Sequence, residues 1–269
     1  MDKELKLEIQ NDQKGIKTNR NYVASLAKGL KILECFQIEN RYLGNREIAD
    51  KTGLPKATVS RLVYTLTQLG YLKQSEGLNK YCYGPEILSL SYSLLSSYRI
   101  RAVARGLMQN LAEYSQGAVN IAVSEGLNMV YLDTYRNVSS LLIQLDVGSK
   151  LPLNSSALGR AYLCAISKTK RNEMLDRIRE EDKLNWPEVK AGVDKALDDY
   201  NTYGYCQSLG DWRNEVNAVG VPLILNDGFG VVSFSCGGPS FLMTEDKIKN
   251  DIGPRLRYLV RNVEVALDS

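Results

Sequence analysis

The chain contains no histidine among its 269 residues, which removes the commonest source of metal ligands and of general bases near neutral pH. It has an odd number of cysteines, scattered along the sequence without a CxxC pair: Cys35, Cys82, Cys164, Cys206 and Cys236. Such a pattern favours free thiols in a reducing compartment over a disulfide framework or a zinc site. We therefore expect neither a metal nor a cofactor.

Long hydrophobic runs are also missing. Hydrophobic residues make up 44% of the sequence, enough for a core, but no run approaches the roughly 18 residues that cross a bilayer. Residues 1–13 alternate charged and apolar side chains, unlike a secretory signal. We therefore expect a cytoplasmic protein with no membrane partner, and its length favours two domains.

An excess of charge of one sign is absent overall, since the formal net charge is only +3. The distribution is uneven, however. Residues 1–84 contain 14 Lys and Arg against 9 Asp and Glu, whereas residues 85–269 contain 20 against 22. The basic excess therefore lies in the N-terminal third, where it suits contact with phosphates, although ordinary surface variation could produce a bias of this size.

Residues 43–69 have the pattern of two short helices joined by a tight turn. Asn45 is suited to cap the first helix, which we expect to begin at Arg46. Gly53 suits the left-handed position that ends this helix, and Pro55 can open the next, where its missing N–H is not needed. In the second helix the apolar residues recur at helical spacing and predict a buried stripe, formed by Val59, Leu62, Val63, Leu66 and Leu69.

The opposite side of the second helix carries side chains that can form hydrogen bonds: Lys56, Thr58, Ser60, Arg61 and Tyr64. Helix-turn-helix proteins reach the major groove of DNA with a helix of this kind. Together with Asn45 and Arg46, these residues form the predicted DNA-reading surface. The alternative is a plain helical hairpin inside a helical core, and this segment alone leaves that alternative open.

Residues 70–84 predict a β-hairpin directly after the second helix, with Glu76-Gly77 in its turn. Lys73 and Lys80, near the tip, suit the phosphate backbone. Before the motif, Ser25 can cap a further helix, whose apolar face we expect to consist of Leu26, Leu30, Leu33 and Phe36. Three helices followed by a hairpin make a winged helix-turn-helix domain.

An ordered series of sequence blocks runs along the chain. The N-terminal blocks are SLAKGLKILECF (25–36), EIADKTGLPKATVSRLVYTLTQLGYL (47–72) and YCYGPEILSL (81–90). The later blocks are VNIAVSEG (119–126), GSKLPLNSSALGRAYL (148–163), GYCQSL (204–209), NAVGVPLILNDG (217–228) and VVSFSCGGP (231–239). This series resembles the IclR family of bacterial transcription regulators, and the resemblance covers nearly the whole chain from about residue 23. It implies a homo-oligomeric regulator, a dimer or a tetramer, that binds operator DNA and a small-molecule effector.

The expected organisation has four parts. Residues 1–22 form a flexible arm, residues 23–84 the winged domain, residues 85–100 a linker helix for dimerisation and residues 101–269 the effector-binding domain. Apolar residues continue at mostly helical spacing from Ile87 to Leu111. A helix with such a stripe must bury it against something, and a partner subunit is the obvious candidate.

The C-terminal part predicts an α+β domain in which an antiparallel sheet has helices on one side. Strands are expected at 119–123, 129–135 and 141–147, and a hairpin at 217–236 turns at Asn226-Asp227-Gly228. Helices are expected at 155–166, 170–179 and 187–200, and an amphipathic helix at 245–267 closes the chain. The family's effector-binding domain has this description.

Effector-binding residues are predicted in two places. At Asn154, Ser155, Ser156 and Ala157 a loop enters a helix, whose free N–H groups can receive a carboxylate. Ser233 and Ser235 lie two apart in an apolar strand, so their hydroxyls share one face. Helix capping and bonds to neighbouring backbone are the alternative roles. The resemblance adds Asp211, Asn217 and Ala218, although the family often has a cysteine at the position of Ala218 and a histidine at that of Asn154.

The predicted function is a ligand-responsive transcription regulator of a catabolic operon, sensing a carboxylate or an aromatic acid. No arginine falls within the effector motifs, which favours a single carboxylate over a highly charged phosphate. One alternative is a DNA-binding protein without an effector. The other is an enzyme with a DNA-binding head, for which Ser235 and Cys236 are the only nucleophile candidates. With no histidine to activate them, we expect no enzymatic activity.

Overall fold

The structure, a computed structural model, describes residues 21–37, 40–136, 145–226 and 228–268. These residues form two compact units, which divide between Ser97 and Tyr98. The predicted N-terminal arm lies outside the described residues except for Asn21 and Tyr22.

Within the described residues, the N-terminal unit contains three helices, a hairpin and a fourth helix: α1 (Ala24–Leu33), α2 (Asn45–Thr52), α3 (Lys56–Gln68), β1 (Leu72–Ser75), β2 (Lys80–Tyr83) and α4 (Pro85–Ser97). β1 and β2 pair antiparallel, with Leu72 opposite Tyr83, and a bridge between Leu43 and Tyr81 ties the hairpin to the segment before α2. This arrangement is a winged helix-turn-helix, as the sequence predicted.

The core of this unit gathers one apolar face from each of α1, α2 and α3 and from β1, including Ile32, Phe36, Ile48, Val59, Val63 and Leu72. The predicted face of α1 was wrong in part, since Leu26 and Leu30 are 63% and 52% exposed. Ile32 takes their place in the core, and Ser25 lies inside a helix that has Val23 at its N-cap. Leu69 is exposed because α3 ends at Gln68, one residue before the predicted stripe does.

Helix α4 buries none of its residues in this chain. Its exposed side chains include four large apolar or aromatic groups: Leu88, Leu90, Tyr92 and Leu94. The sequence pattern read as one helical run to Leu111, but α4 ends at Ser97 and a separate helix, α5, spans Arg99–Ser115. α5 differs from α4 in being amphipathic and packed, with Ile100, Ala104 and Met108 buried.

The C-terminal unit begins with α5 and continues as β3 (Ala118–Glu125), β4 (Asn128–Arg136), β5 (Lys150–Pro152), α6 (Ala157–Ala165), α7 (Lys168–Glu181), α8 (Trp186–Tyr203), β6 (Cys206–Leu209), β7 (Val216–Leu225) and β8 (Gly230–Pro239). The chain ends in a helical segment of three parts: α9 (Glu245–Lys247), a π-helical turn (Ile248–Ile252) and α10 (Gly253–Asp268). Its buried face contains the six apolar residues that the sequence indicated, from Ile248 to Val263.

The six strands form one antiparallel sheet in the order β5-β4-β3-β8-β7-β6. Its helices cover both faces, so the expectation of helices on one side was wrong. Cys236 faces α5, where the Ser115 hydroxyl contacts its thiol, and its neighbour Ser235 faces the other way. Gly220, which pairs with Ser235, lies under α6.

Helix α6 packs on the sheet through direct contact between backbone atoms. A Cβ atom at Gly220 would lie 2.2 Å from the carbonyl oxygen of Ala157. A Cβ atom at Gly159, within α6, would lie 2.1 Å from the carbonyl oxygen of Leu153. No real side chain tolerates such distances. Gly220 therefore lets the first turn of α6 approach β7 closely, and Gly159 lets the same turn approach the segment that precedes the helix.

The predicted strand 141–147 was wrong where it can be checked. Residues 141–144 lie outside the described part, and residues 145–147 form no strand. The strand beside β4 is instead β5, in which Leu151 pairs with Met129. The predicted hairpin after Asn217 is confirmed as β7 and β8, which pair from Val216↔Pro239 to Leu225↔Gly230.

Candidate functional site

The first candidate site is the exposed side of α3 in the N-terminal unit. Val59 and Val63 hold the helix in the core, and the side chains of Lys56, Ser60, Arg61 and Tyr64 consequently point outward. Tyr64 is 66% exposed, whereas Thr58 is half-buried. Gly53 makes the turn before α3 with φ of 68°, a left-handed conformation that favours glycine. Four hydrogen-bonding groups thus form one accessible face.

The start of α2 differs from the prediction. Asn45 is the first residue of the helix and does not cap it, and its Oδ1 is buried without a hydrogen-bond partner among the described residues. Instead Glu47 Oε2 accepts from the backbone N–H of Gly44 at 2.7 Å. Arg46, beside it, is exposed. Glycine at the N-cap with glutamate three positions later forms half of a capping box, because glycine has no side chain to reciprocate.

The same glutamate connects α2 to the wing. Lys80 Nζ lies 2.9 Å from Glu47 Oε1, and both side chains are partly exposed. The backbone hydrogen bond from Gly44, followed by the bond from Lys80, lowers the pKa of Glu47. Lys80 therefore has an ion-pair partner within the chain, whereas Lys73 lies on the exposed side of β1.

The second candidate site is a cavity of about 450 Å³ in the C-terminal unit. It lies between the sheet and the start of α6. The wall includes residues from the strands (Ala118, Asn120, Tyr131, Thr134, Arg136, Ser208, Ala218, Ser235 and Gly237), from α6 and its cap (Ser156, Ala157 and Leu158) and from the loop after β6 (Trp212, Arg213 and Glu215).

The α6 end of the cavity is built around Ser156. This serine is the N-cap of α6: its Oγ accepts from the N–H of Gly159 at 3.1 Å and donates to the carbonyl of Pro152 at 2.6 Å. The first intrahelical bond of α6 starts from the N–H of Arg160. The N–H groups of Ala157 and Leu158 precede it, so the positive end of the helix faces the cavity.

A row of three hydrogen-bonded side chains crosses the cavity floor. Thr134 on β4 is opposite Asn120 on β3, which is opposite Ser235 on β8. The Thr134 hydroxyl donates to Asn120 Oδ1 at 2.7 Å, and Asn120 Nδ2 donates to Ser235 Oγ at 3.1 Å. The row leaves the Ser235 proton available to a ligand next to the start of α6.

Two arginines reach the cavity from outside the predicted motifs. Arg136 ends β4, and its Nη2 pairs with the carboxylate of Asp146. Arg213 lies at the mouth, with its guanidinium carbon 4.8 Å from the centre of the Trp212 ring. The absence of arginine from the predicted motifs therefore does not limit the charge of a ligand in this cavity.

The comparisons with known proteins follow the same division. Residues 25–76 match the model of the IclR helix-turn-helix domain, and residues 92–265 match that of the bacterial transcriptional regulator IclR C-terminal domain. The chain belongs to the IclR family. It is a DNA-binding transcription regulator with an effector-binding domain, as the resemblance implied.

Similar proteins support the assignment to the IclR family. The HTH-type transcriptional regulator TsaQ1/TsaQ2 of Comamonas testosteroni is 32% identical over 91% of this chain and 88% of its own. An IclR family transcriptional regulator from Brucella abortus has a crystal structure with a TM-score of 0.83 and 46% identity, covering 92% of this chain and 94% of that one. An IclR homolog from Microbacterium hydrocarbonoxydans complexed with 4-hydroxybenzoate has a TM-score of 0.73 over 91% of this chain and 99% of that one; at 21% identity it is similar in fold alone.

These IclR relatives are transcription regulators and not enzymes. The two nucleophile candidates agree with this. Burial raises the pKa of the Cys236 thiol to about 11, so it holds its proton at neutral pH, and Ser235 is bonded to Asn120. Within the described residues, no group of three or more metal-ligating side chains occurs. No helix in that part of the chain has the length and apolar character that a bilayer span requires.

The structure brings four of the nine predicted effector residues to the cavity wall: Ser156, Ala157, Ala218 and Ser235. The other five lie outside it. The backbone carbonyl of Asn154 accepts from Arg160 at 3.4 Å, and that of Ser155 accepts from the Ser208 hydroxyl. Asn217 donates to the carbonyl of Met243, and Asp211 pairs with Arg160. Ser233 is fully buried, and its hydroxyl has no partner among the described residues.

Sequence reasoning missed Asn120, Thr134 and Arg136. Asn120 stands in a resembling block but is a polar residue in an otherwise apolar strand, VNIAV, and that contrast was the available signal. Thr134 and Arg136 lie two apart on β4, so their side chains share the face that forms the cavity floor. The strand register that aligns them with Ser235 is a long-range property that no local pattern reports.

Proposed function

We propose that this IclR-family regulator senses a small organic acid in the cavity of its C-terminal unit and thereby controls a catabolic operon. The observation that carries the proposal is the convergence of hydrogen-bond donors on an apolar cavity. The start of α6, the Ser235 hydroxyl and the guanidinium of Arg136 all reach the same space. Donors of this kind suit a carboxylate, while Tyr131, Leu158 and Trp212 supply apolar contact for the rest of the ligand.

The size of the cavity supports a metabolite of modest size. About 450 Å³ lies toward the lower end of ligand sites in proteins, and it accommodates an aromatic ring with substituents. A fold similar to this one has been solved with 4-hydroxybenzoate, but at 21% identity that similarity extends to the fold alone. The choice of an acid for this chain therefore rests on the cavity's own donors.

The N-terminal unit is the proposed operator-binding part. Its exposed residues Arg61 and Lys56 would enter the major groove, and Lys73 in the wing would contact phosphate. An operator read by two copies requires a dimer or a tetramer, and the uncovered apolar side chains of α4 support pairing through that helix. Effector binding would shift the relative placement of the DNA-binding heads, through different affinities for two arrangements. Because operator DNA is in the bacterial cytoplasm, we propose that location for the protein.

A thermal-shift screen against small carboxylates and aromatic acids tests sensing directly. A ligand that binds only the folded state raises the melting temperature in a concentration-dependent way. Ala118→Leu, which fills the cavity floor, should abolish the shift. Ala191→Leu, a matched change on the exposed side of α8, should leave it intact.

The screen also separates the two classes of function. If no acid stabilises the wild type, an effector-independent DNA-binding protein becomes the better description. If acids stabilise Ala118→Leu as strongly as the wild type, the effector binds outside this cavity. Electrophoretic mobility of an operator fragment, with and without the acid found, then shows whether binding changes DNA affinity.

A further inference from the structure

The cavity has a second polar end, at the end of β4, which the predicted effector motifs do not include. Arg136 lines the wall there, and its side chain is 24% exposed. Its Nη2 pairs with Asp146, but its Nη1 is buried and has no acceptor among the residues that the structure describes. A buried donor on a charged group is costly to leave unpaired, and an acceptor supplied by a ligand would remove that cost.

The two polar ends are separated by the width of two strand spacings. Arg136 lies on β4, whereas Ser235 and the adjoining start of α6 lie at β8 and β7. Neighbouring strands are about 4.8 Å apart, so the backbones of β4 and β8 are roughly 10 Å apart. A ligand with two anionic groups can therefore place one group at each end.

The floor between the two ends is open. Along this line Arg136 is opposite Ala118, which is opposite Gly237, and both of these residues line the cavity. The methyl side chain of Ala118 leaves room for a ligand to lie across the strands, whereas the space beside Gly237 is taken by Ala218, whose Cβ would lie 2.6 Å from a Cβ at that glycine. The parallel row of Thr134, Asn120 and Ser235 borders this line on one side, with hydrogen-bonding groups along its length.

The other charges at the cavity do not replace this role of Arg136. Arg213 and Glu215 are both exposed, carry opposite signs and follow one another closely in the loop after β6. The guanidinium of Arg213 is already against Trp212. Asp146 is 63% exposed and engages only one nitrogen of Arg136. Arg136 is therefore the cation best placed to bind an anionic group inside the cavity.

We propose that the effector is an organic acid with two anionic groups. One carboxylate binds at the start of α6 and Ser235, and the second binds Arg136 across the open floor. This inference rests on the proposed function and makes it more specific, since it names a dicarboxylate where the cavity as a whole indicates only an acid.

Isothermal titration calorimetry with matched pairs of acids tests the inference. Adipate is compared with hexanoate, and terephthalate with benzoate, because each pair differs by one carboxylate. For the wild type, at least one dicarboxylate should bind roughly tenfold to a hundredfold more tightly than its partner, as expected for a charge-assisted contact. Arg136→Met should remove that preference while keeping the affinity for the monocarboxylate. Arg213→Met is the matched control and should retain the preference.

The outcomes separate this inference from the proposed function. Equal affinities within both pairs, or a preference that survives Arg136→Met and is lost in Arg213→Met, would overturn the second anion site while leaving acid sensing intact. Absence of binding by all four acids would overturn the inference, and the wider thermal-shift screen then decides separately whether acid sensing stands. Should Arg136→Met fail to fold by circular dichroism, the comparison of acids on the wild type still decides the result.

Discussion

Arg160 and Asp211 form an ion pair that fixes the loop beside the cavity of the C-terminal unit. Arg160 Nη1 lies 2.8 Å from Asp211 Oδ2, and the arginine side chain is only 5% exposed. The same Nη1 donates to the carbonyl of Gln207 at 2.9 Å, and Asp211 Oδ2 also accepts from the N–H of Leu209. The pair thus joins α6 to the end of β6 and to the loop that carries Trp212 and Arg213.

Breaking this pair should destabilise the C-terminal unit. Asp211→Ala leaves a buried guanidinium without its carboxylate, and we expect a loss of about 2–3 kcal/mol, at the low side of buried pairs because Asp211 is 35% exposed. Asp194→Ala is the control, since its pair with Lys190 is solvent-exposed and should be worth less than about 1 kcal/mol. Denaturant unfolding measures both. Equal losses would show that the Arg160 pair is no more than a surface contact.

Substitution by alanine should affect stability differently at the two serines of β8. Ser235→Ala removes the acceptor of Asn120 Nδ2 and should cost about 1 kcal/mol of stability, with about 0.5–1.5 kcal/mol of effector affinity. Ser233→Ala removes a buried hydroxyl that has no partner among the described residues, so stability should be unchanged or rise. Thermal unfolding and calorimetry test the pair. A larger loss for Ser233→Ala would mean that its hydroxyl is bonded in solution.

Recognition by α3 should depend on Arg61. If Arg61 reads a base, Arg61→Ala should weaken specific operator binding by about 1–3 kcal/mol and relax sequence preference. Lys73→Ala, in the wing, should weaken specific and non-specific DNA alike and reduce the salt slope by about one. Fluorescence anisotropy over a salt series distinguishes them. Unchanged operator affinity in Arg61→Ala at moderate salt would place a different surface in the groove.

Assembly should depend on the apolar side chains of α4. Leu88→Glu combined with Leu94→Glu puts charge on a helix that buries nothing within its own chain, and we expect a lower oligomer mass. Ser89→Glu with Ser96→Glu adds the same charge at polar exposed positions and should leave the mass unchanged. Light scattering gives the answer. A monodisperse wild-type monomer at micromolar concentration would contradict the role of α4.

Stability should fall at alkaline pH in part through Cys236. Burial raises the pKa of this thiol to about 11, whereas the unfolded thiol titrates near its ordinary value. The folded state therefore holds the proton more tightly, and its advantage is complete below pH about 8.5 and lost as pH rises to 11. Cys236→Ala should lose about 2 kcal/mol less than the wild type between pH 7 and pH 10. Denaturant unfolding at the two pH values measures both losses. If the wild type and Cys236→Ala lose the same free energy of unfolding, Cys236 makes no such contribution.

The sequence was sufficient for the elements whose signals are local. Gly53 in the turn, the hairpin after α3 and the apolar face from Ile248 to Val263 all follow from spacing and backbone preference, and the structure confirms them. Leu26 and Leu30 show the limit of that reasoning. Their helical spacing is correct, but which face of α1 enters the core is decided by α2 and α3.

The sequence predicted only those residues of the cavity wall that belong to a sequence motif. Ser156 and Ser235 belong to recognisable blocks, and the structure places both in the wall. Arg136 and Thr134 reach the same wall because β4 pairs with β3 and β3 with β8, across residues more than a hundred positions apart. Asp211 illustrates the converse, since an acidic residue near the expected mouth pairs with a buried arginine that local spacing did not reveal.

The close packing of α6 on β7 has a consequence for how the ligand specificity of such regulators diverges. Gly220 lets the backbone of α6 rest on the backbone of β7, and Gly159 lets it rest on the segment before the helix, so these two contacts fix the helix without side chains of the cavity floor. If the proposed function holds, substitutions at positions such as 118, 134 or 136 should change the acid that is recognised while the scaffold stays constant. A change of ligand then requires few substitutions, whereas Gly159 and Gly220, which have no functional side chain, must stay the same.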